Sequence, residues 1–382
     1  MQIIRIKCCI IQKLSYLCNE SSPKFDLPHE MNLSTTNFGQ TDQKQPITEF
    51  TLTNSSGFGI SVLNYGGIVT RLMTPDRYGA LANVVLGYDN FQDYQQRNPY
   101  FGALIGRYAN RIDSGELDIA NVQYRLSQNN GRHHLHGGHK GFDKVIWTIE
   151  PEVAQQKASL KLSYASKNNE EGYPGNLKVT VTYKINQNNK WTIDYRATTD
   201  KDTVFNPTQH SYFNLSGDFN REIVDHRVQL WPTYYLPLNS ELIPKGILSP
   251  VNDTAFDFRE PKTIESQLGL LLNESSMETG FDHCFVFGED RNYLRKIAQV
   301  HHAPSGRTME VFTTQPGVQF YTAKFSKDQY PNPQGGFYKD RTGFCLETQN
   351  WPNAPNQASF PSALLMAGLT YKSRTIYKFS CQ

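Results

Sequence analysis

Residues 177–197 read LKVTVTYKINQNNKWTIDYRA. Leu177, Val179, Val181, Tyr183 and Ile185 alternate with Lys178, Thr180, Thr182 and Lys184; after an Asn-rich turn, Trp191, Ile193 and Tyr195 alternate with Thr192, Asp194 and Arg196. A period of two, with β-branched and aromatic residues on one side, specifies a long hairpin with one face in a core and one in water. The same signature stands before it in ASLKLSYAS (158–166) and near the end in SRTIYKFS (373–380). Helical pattern is confined to short pieces, NFQDYQQ (90–96) and TIESQLGLLLN (263–273). The expected class is therefore all-β, many antiparallel strands joined by Gly and Pro turns. There is no βαβ rhythm, no glycine-rich loop opening a helix and no fixed short repeat, which excludes the usual nucleotide-binding architectures.

Composition narrows the function. The 382 residues carry 38 basic and 36 acidic side chains, too balanced for a nucleic-acid or anionic-membrane footprint. A small neutral ligand fits better. The six cysteines, at 8, 9, 18, 284, 345 and 381, have neither paired spacing nor a CxxC, so a disulfide framework or zinc knuckle is not indicated and a reducing cytoplasm is the expected location. The first eighteen residues are apolar but interrupted by Arg5, Lys7 and Lys13 and lack a small-residue cleavage site, which suits neither a signal peptide nor a spanning helix. Residues 1–30 are expected to be a disordered extension, with Met31 the natural start of a single domain over 31–382.

Polar groups concentrate in IGRYANRI (105–112), HHLHGGHKGFDKVIW (133–147), NPTQHSYFNLSG (206–217) and GFDHCFVF (280–287). A fifth stretch, GFCLETQNWPN (343–353), sets Glu347 in an apolar run, where a carboxylate is expensive to bury unless something binds it. Each has an ordinary explanation: a solvent-facing acid on an edge strand for Glu347, a hydrogen-bonded structural histidine for His210, a surface face for Arg107 and Arg111, and a turn cap for Asp282. His134 and His136 would share a strand face, a weak metal signal; the following Gly-Gly points instead to a tight turn that brings backbone or the His136 imidazole close to a ligand. Taken together, Arg, Asn, Asp, Gln, His and Glu among aromatic strands are what a polyhydroxyl ligand requires. One histidine and one carboxylate then suffice for acid–base chemistry.

The chain resembles the aldose 1-epimerase, or galactose mutarotase, family. The resemblance rests on NVVLGYDNFQDY, GRYANRI, NNGRHHLHGGHKGFDKVIW, EEGYPGNL, NPTQHSYFNLSG, TAFDFRE, GFDHCFVF, MEVFTTQPGVQFYT and GFCLETQNWPNAPNQASFPSALL, in the family's order over roughly residues 48–380. It implies a large antiparallel β-sandwich, the galactose mutarotase-like supersandwich, with a sugar in a cleft on a concave face. It further implies Glu347 as general base at the C1 hydroxyl, His210 as general acid at the ring oxygen and His136 as an assisting donor. Asn110, Arg111, Asp282 and Gln319 are implied to hold the hydroxyls. Neither cofactor nor metal is implied, and the partner is a free monosaccharide such as galactose or glucose, handled by a monomer or homodimer. Acid and base acting together imply a bell-shaped pH dependence. Two departures from the family pattern, Tyr108 in GRYANRI and LLMAGLTY (364–371) in place of a basic-Pro-Gly turn, bear on packing. Three rivals remain: a hexose-6-phosphate mutarotase, a non-catalytic carbohydrate-binding protein, and a glycoside hydrolase pairing Glu347 with Asp282.

Overall fold

The computed structural model describes residues 30–274, 280–288, 290, 293–325 and 328–382. Residues 1–29, with Cys8, Cys9, Cys18 and the expected extension, lie outside the described residues. The hairpin forms as its alternation dictates: strands Leu177–Asn186 and Lys190–Thr199 pair antiparallel with Val181 opposite Tyr195 and Ile185 opposite Trp191. Asn189 closes the turn at φ 52°, a left-handed conformation that asparagine tolerates better than most residues.

This hairpin is the middle of a nine-stranded antiparallel sheet, among the described residues. On one side it continues through Lys157–Ser166 to Thr148–Ala154; on the other it pairs with the terminal strand Thr370–Cys381, then Arg307–Thr313, Arg295–His301, Arg227–Leu230 and Lys262–Thr263. Trp191 stacks on Tyr377 across that junction, ring centroids 5.2 Å apart. A five-stranded meander runs from Asn32–Gln40 to Leu81–Asn83. A second five-stranded sheet orders Ser249–Pro250, Tyr234–Tyr235, Asp282–Val286, Gly317–Thr322 and Phe344–Gln349. Leu52 and Val62 from the meander, Val181 and Trp191 from the large sheet, and Phe320 and Leu346 from the third sheet share one core. The two expected helical pieces are Phe91–Arg97, capped by Asn90 Oδ1 accepting from the Asp93 N–H at 2.9 Å, and Ile264–Glu274. No helix among the described residues is long and apolar enough to cross a membrane.

Two sequence expectations change here. Arg107 is not on a surface face: it is 2% exposed, donating through Nε to Ser166 Oγ, through Nη1 to Pro174 O, and through Nη2 to Ser166 O and Lys167 O. A guanidinium's five donors allow one side chain to satisfy several carbonyls at once. Arg107→Met should therefore destabilise by about 3 kcal/mol, since acceptors are left buried without donors; urea denaturation checks this, with the midpoint moving down at unchanged m-value. Tyr108 packs without disruption, fully buried, its hydroxyl donating to Trp351 O at 2.9 Å and accepting from Ala354 N–H at 3.1 Å. It ties GRYANRI to the loop after Glu347.

Candidate active site

The third sheet carries the acids on its cleft side. Residues directly opposite in antiparallel strands share a face, so Cys284, Gln319 and Glu347 form one rung and Asp282, Tyr321 and Cys345 the next. Their alternates, His283, Phe320 and Leu346, turn to the other side, where Phe320 and Leu346 join the core. The strand bearing Glu347 does end the ladder of its sheet, as a solvent-facing acid would require. Yet all six of its residues are buried, Glu347 at 2% exposure. Strand Thr208–His210, bonded to Ala103–Ile105 with His210 opposite Ala103, packs against it.

His210 Nε2 and Glu347 Oε1 face each other at 3.5 Å. Tyr212 lies nearly parallel to the His210 ring at 4.9 Å and Tyr100 at 5.8 Å. His136 meets the same ring edge-on at 5.2 Å. Pro99, Tyr100, Asn110, Arg111, Leu135, His136, His210, Tyr212, Asp282, Tyr321, Tyr330 and Glu347 enclose a cleft of about 300 Å³, small for a ligand site and matched to a small ligand. A larger groove of about 620 Å³ adjoins it at Tyr330 but contains neither member of the His–Glu pair.

His136 and Gly137 do form a tight turn. His136 has φ 52° and Gly137 φ 90°, and a Cβ at Gly137 would collide with the Gly106 carbonyl. This geometry aims the imidazole into the cleft while its Nδ1 accepts from the Asn110 N–H at 3.1 Å. A neutral ring accepting at Nδ1 carries its proton at Nε2, so His136 is a donor. That bears on metal binding: donor atoms of His136, His210 and Glu347 lie within 4.8 Å of one another, but ligation through Nε2 would place an Nδ1–H against the Asn110 N–H. His134 is elsewhere, held by Ser127 O at 2.6 Å and Tyr173 Oη at 2.7 Å.

Electrostatics follow burial. Burial raises the Glu347 carboxyl well above the usual carboxylate range, and Asp282 adds to it. Asp282 is raised by burial too, with Arg111 and Gln319 opposing. Burial lowers His210 to about 3, its own backbone carbonyl acting the other way. His136 is lowered by burial, then by His210 and Arg111. Two buried acceptors, Glu347 Oε2 and Gln319 Oε1, have no hydrogen-bond partner among the described residues, and unpaired buried acceptors cost stability that a hydroxylated ligand would recover.

All seven site residues expected from the sequence gather here. Gln319 stands beside the cleft lining and donates to Asp282 Oδ1 at 2.6 Å; Arg111 Nε donates to Asn130 Oδ1 at 3.1 Å. Much of the remaining polar density serves the backbone: Gln209 donates to Gly102 O, Asn214 to Asp218 O, Arg221 O and Thr342 O, and Asn206 to Ala109 O and Asn350 O. Tyr100 and Tyr330 were not anticipated. Tyr100 sits just after Pro99, in a left-handed conformation at φ 68°, and nothing local in its sequence marks it as facing two histidines.

Comparison with known proteins gives the family of the chain. Residues 48–378 match the sequence profile of the family described as aldose 1-epimerase. The rat galactose mutarotase is 41% identical over 350 residues, 92% of this chain and 99% of that protein. The human galactose mutarotase is 44% identical over 323 residues, 84% and 91% of the two chains. The crystal structure of an aldose epimerase homologue from C. elegans superposes with a TM-score of 0.78 at 26% identity, covering 92% of this chain and 99% of that one. With its profile match, its relatives and its β-sandwich in agreement, the chain belongs to the aldose 1-epimerase family.

Proposed function

We infer that the protein is an isomerase that interconverts the α and β anomers of free aldohexoses such as galactose and glucose. The observation that carries this reading is a buried carboxylate and imidazole 3.5 Å apart in a small polar cleft. Glu347 takes the proton of the C1 hydroxyl while C1–O5 breaks, its electrons passing to O5, which receives the His210 Nε2 proton. Rotation about C1–C2 in the open aldehyde presents the other face, and reversal closes the opposite anomer. His136 supports the ring oxygen by its Nε2–H, while Asn110, Arg111, Asp282 and Gln319 hold the hydroxyls. No cofactor or metal enters any step.

The pKa directions give this chemistry a driving force. Burial places the single proton of the resting pair on Glu347; the reactive form is the less populated arrangement of that same proton, Glu347 ionised and His210 cationic, from which both proton transfers discharge groups whose charged forms burial disfavours. The expected kcat/KM profile is a bell belonging to the pair. A second proton neutralises Glu347 on the acid side, below the ordinary histidine value; loss of the first removes the acid, above the ordinary carboxylate value. Initial-rate polarimetry against pH checks it, and a profile flat through neutrality contradicts it.

Arg107, engaged with four acceptors away from the cleft, leaves Arg111 as the one arginine lining it among the described residues, which favours a free sugar over a sugar phosphate. Residues 31–382 are taken as one catalytic unit, acting in the cytoplasm as a monomer or homodimer.

A further inference from the structure

The Nδ1 face of His210 is met by a sulfur atom. Cys345 Sγ lies 3.5 Å from His210 Nδ1, within the reach of an N–H···S contact, while Nε2 on the far side of the ring faces Glu347 at 3.5 Å. The sulfur is fixed: Cys345 is fully buried, two residues before Glu347 on the same strand and face. The ring lies nearly parallel to those of Tyr100 and Tyr212. A histidine that gives its Nε2 proton to the substrate and takes it back must be, in its neutral form, the Nδ1–H tautomer, because Nε2 then needs a free lone pair. His136 shows the opposite arrangement, its Nδ1 occupied by a backbone donor. The two histidines in one cleft thus have different partners at Nδ1.

We propose that Cys345 is a positioning residue whose sulfur accepts from His210 Nδ1–H, so that Nε2 is the nitrogen that cycles the proton. The inference rests on His210 being the general acid. Burial raises the thiol well above its ordinary value, with Glu347 and Asp282 adding to the rise; Cys345 therefore acts as a neutral acceptor and brings no thiolate charge. The other titratable groups lining the cleft are Glu347, Asp282, His136, Arg111, Tyr100, Tyr212, Tyr321 and Tyr330; among the described residues Cys345 is the side chain that meets Nδ1. The competing acceptor is the His210 backbone carbonyl.

The test is ¹⁵N NMR of the histidine-labelled protein, with kinetics of Cys345→Ala, Cys345→Val and Cys345→Ser. In the wild type the neutral His210 ring should carry its proton at Nδ1; an Nε2–H tautomer overturns the proposal even if no variant folds. In the Ala and Val variants kcat should fall about fivefold, the loss of one weak hydrogen bond, with KM within about twofold. The alkaline limb of the pH profile should move down, because the cationic ring has lost an acceptor. Serine, whose oxygen also accepts, should restore most of the rate. Unchanged kcat and an unchanged Nδ1–H signal in folded Ala or Val variants overturn the proposal in favour of the carbonyl. Retained activity in His210→Asn would sink the general-acid reading without altering the tautomer result.

Discussion

Glu347→Gln is expected to lower kcat for anomer exchange by about 10³-fold, within the 10²–10⁴-fold range of a positioned general base, while the folded protein becomes no less stable. The second half of that expectation is the more diagnostic. Glu347 is buried, one of its oxygens has no partner among the described residues, and its carboxyl is held well above the usual range by burial and Asp282. A folded-state pKa above the unfolded value means the native protein binds the proton more tightly. This group's contribution is then fully present below the unfolded carboxylate value and is lost as pH rises through the raised one. Wherever the carboxyl is ionised the native protein carries the cost of a buried charge, and glutamine, of nearly the same shape, removes it. Activity by polarimetry and stability by denaturant titration across pH should move in opposite directions. A variant that loses both in proportion would mark Glu347 as structural.

His210→Asn is expected to lower kcat by about 10²–10³-fold with a small change in KM, the pattern of a group needed in the transition state and not for binding. The variant also changes the shape of the pH profile. With the acid gone, the residual rate depends on Glu347 ionisation alone, so it should rise with pH and lose the alkaline fall expected of the pair. His210 is 3% exposed and packs against two tyrosine rings, and asparagine leaves space there. Thermal unfolding should accompany the kinetics. A fully folded variant with wild-type kcat would remove His210 from the chemistry.

The fold was legible where a local rule was strong. Alternation in 177–197 specified the hairpin, and its register follows from burying Val181, Tyr183, Tyr195 and Trp191 on one side. The short helices were legible for a similar reason: Asn90 and the apolar spacing of Phe91 and Tyr94 are local signals. The site was legible only in part. Composition pointed to a polar, aromatic cleft, but the roles proposed for Glu347 and His210 came from the family resemblance, because their strands meet through contacts between residues more than 130 positions apart in the chain. The same remoteness hid Tyr100 and Tyr330. Conversely, the amides of NPTQHSYFNLSG looked like ligand groups but mostly satisfy backbone, and Arg107 looked like a surface charge but clamps carbonyls. A sequence gives the hydrogen-bonding capacity of a polar residue; only the fold says whether a backbone group has already used it.

The most direct test of the central claim, that Glu347 and His210 together open and reclose an aldose ring, is polarimetry of freshly dissolved α-D-galactose with wild-type, Glu347→Gln and His210→Asn proteins at matched concentration and verified fold. The expected result is rapid approach to the equilibrium rotation with wild type and a rate near the uncatalysed one with either variant. Folded wild-type protein that leaves the rate of α-D-galactose and α-D-glucose unchanged, or variants that retain it, would contradict the claim.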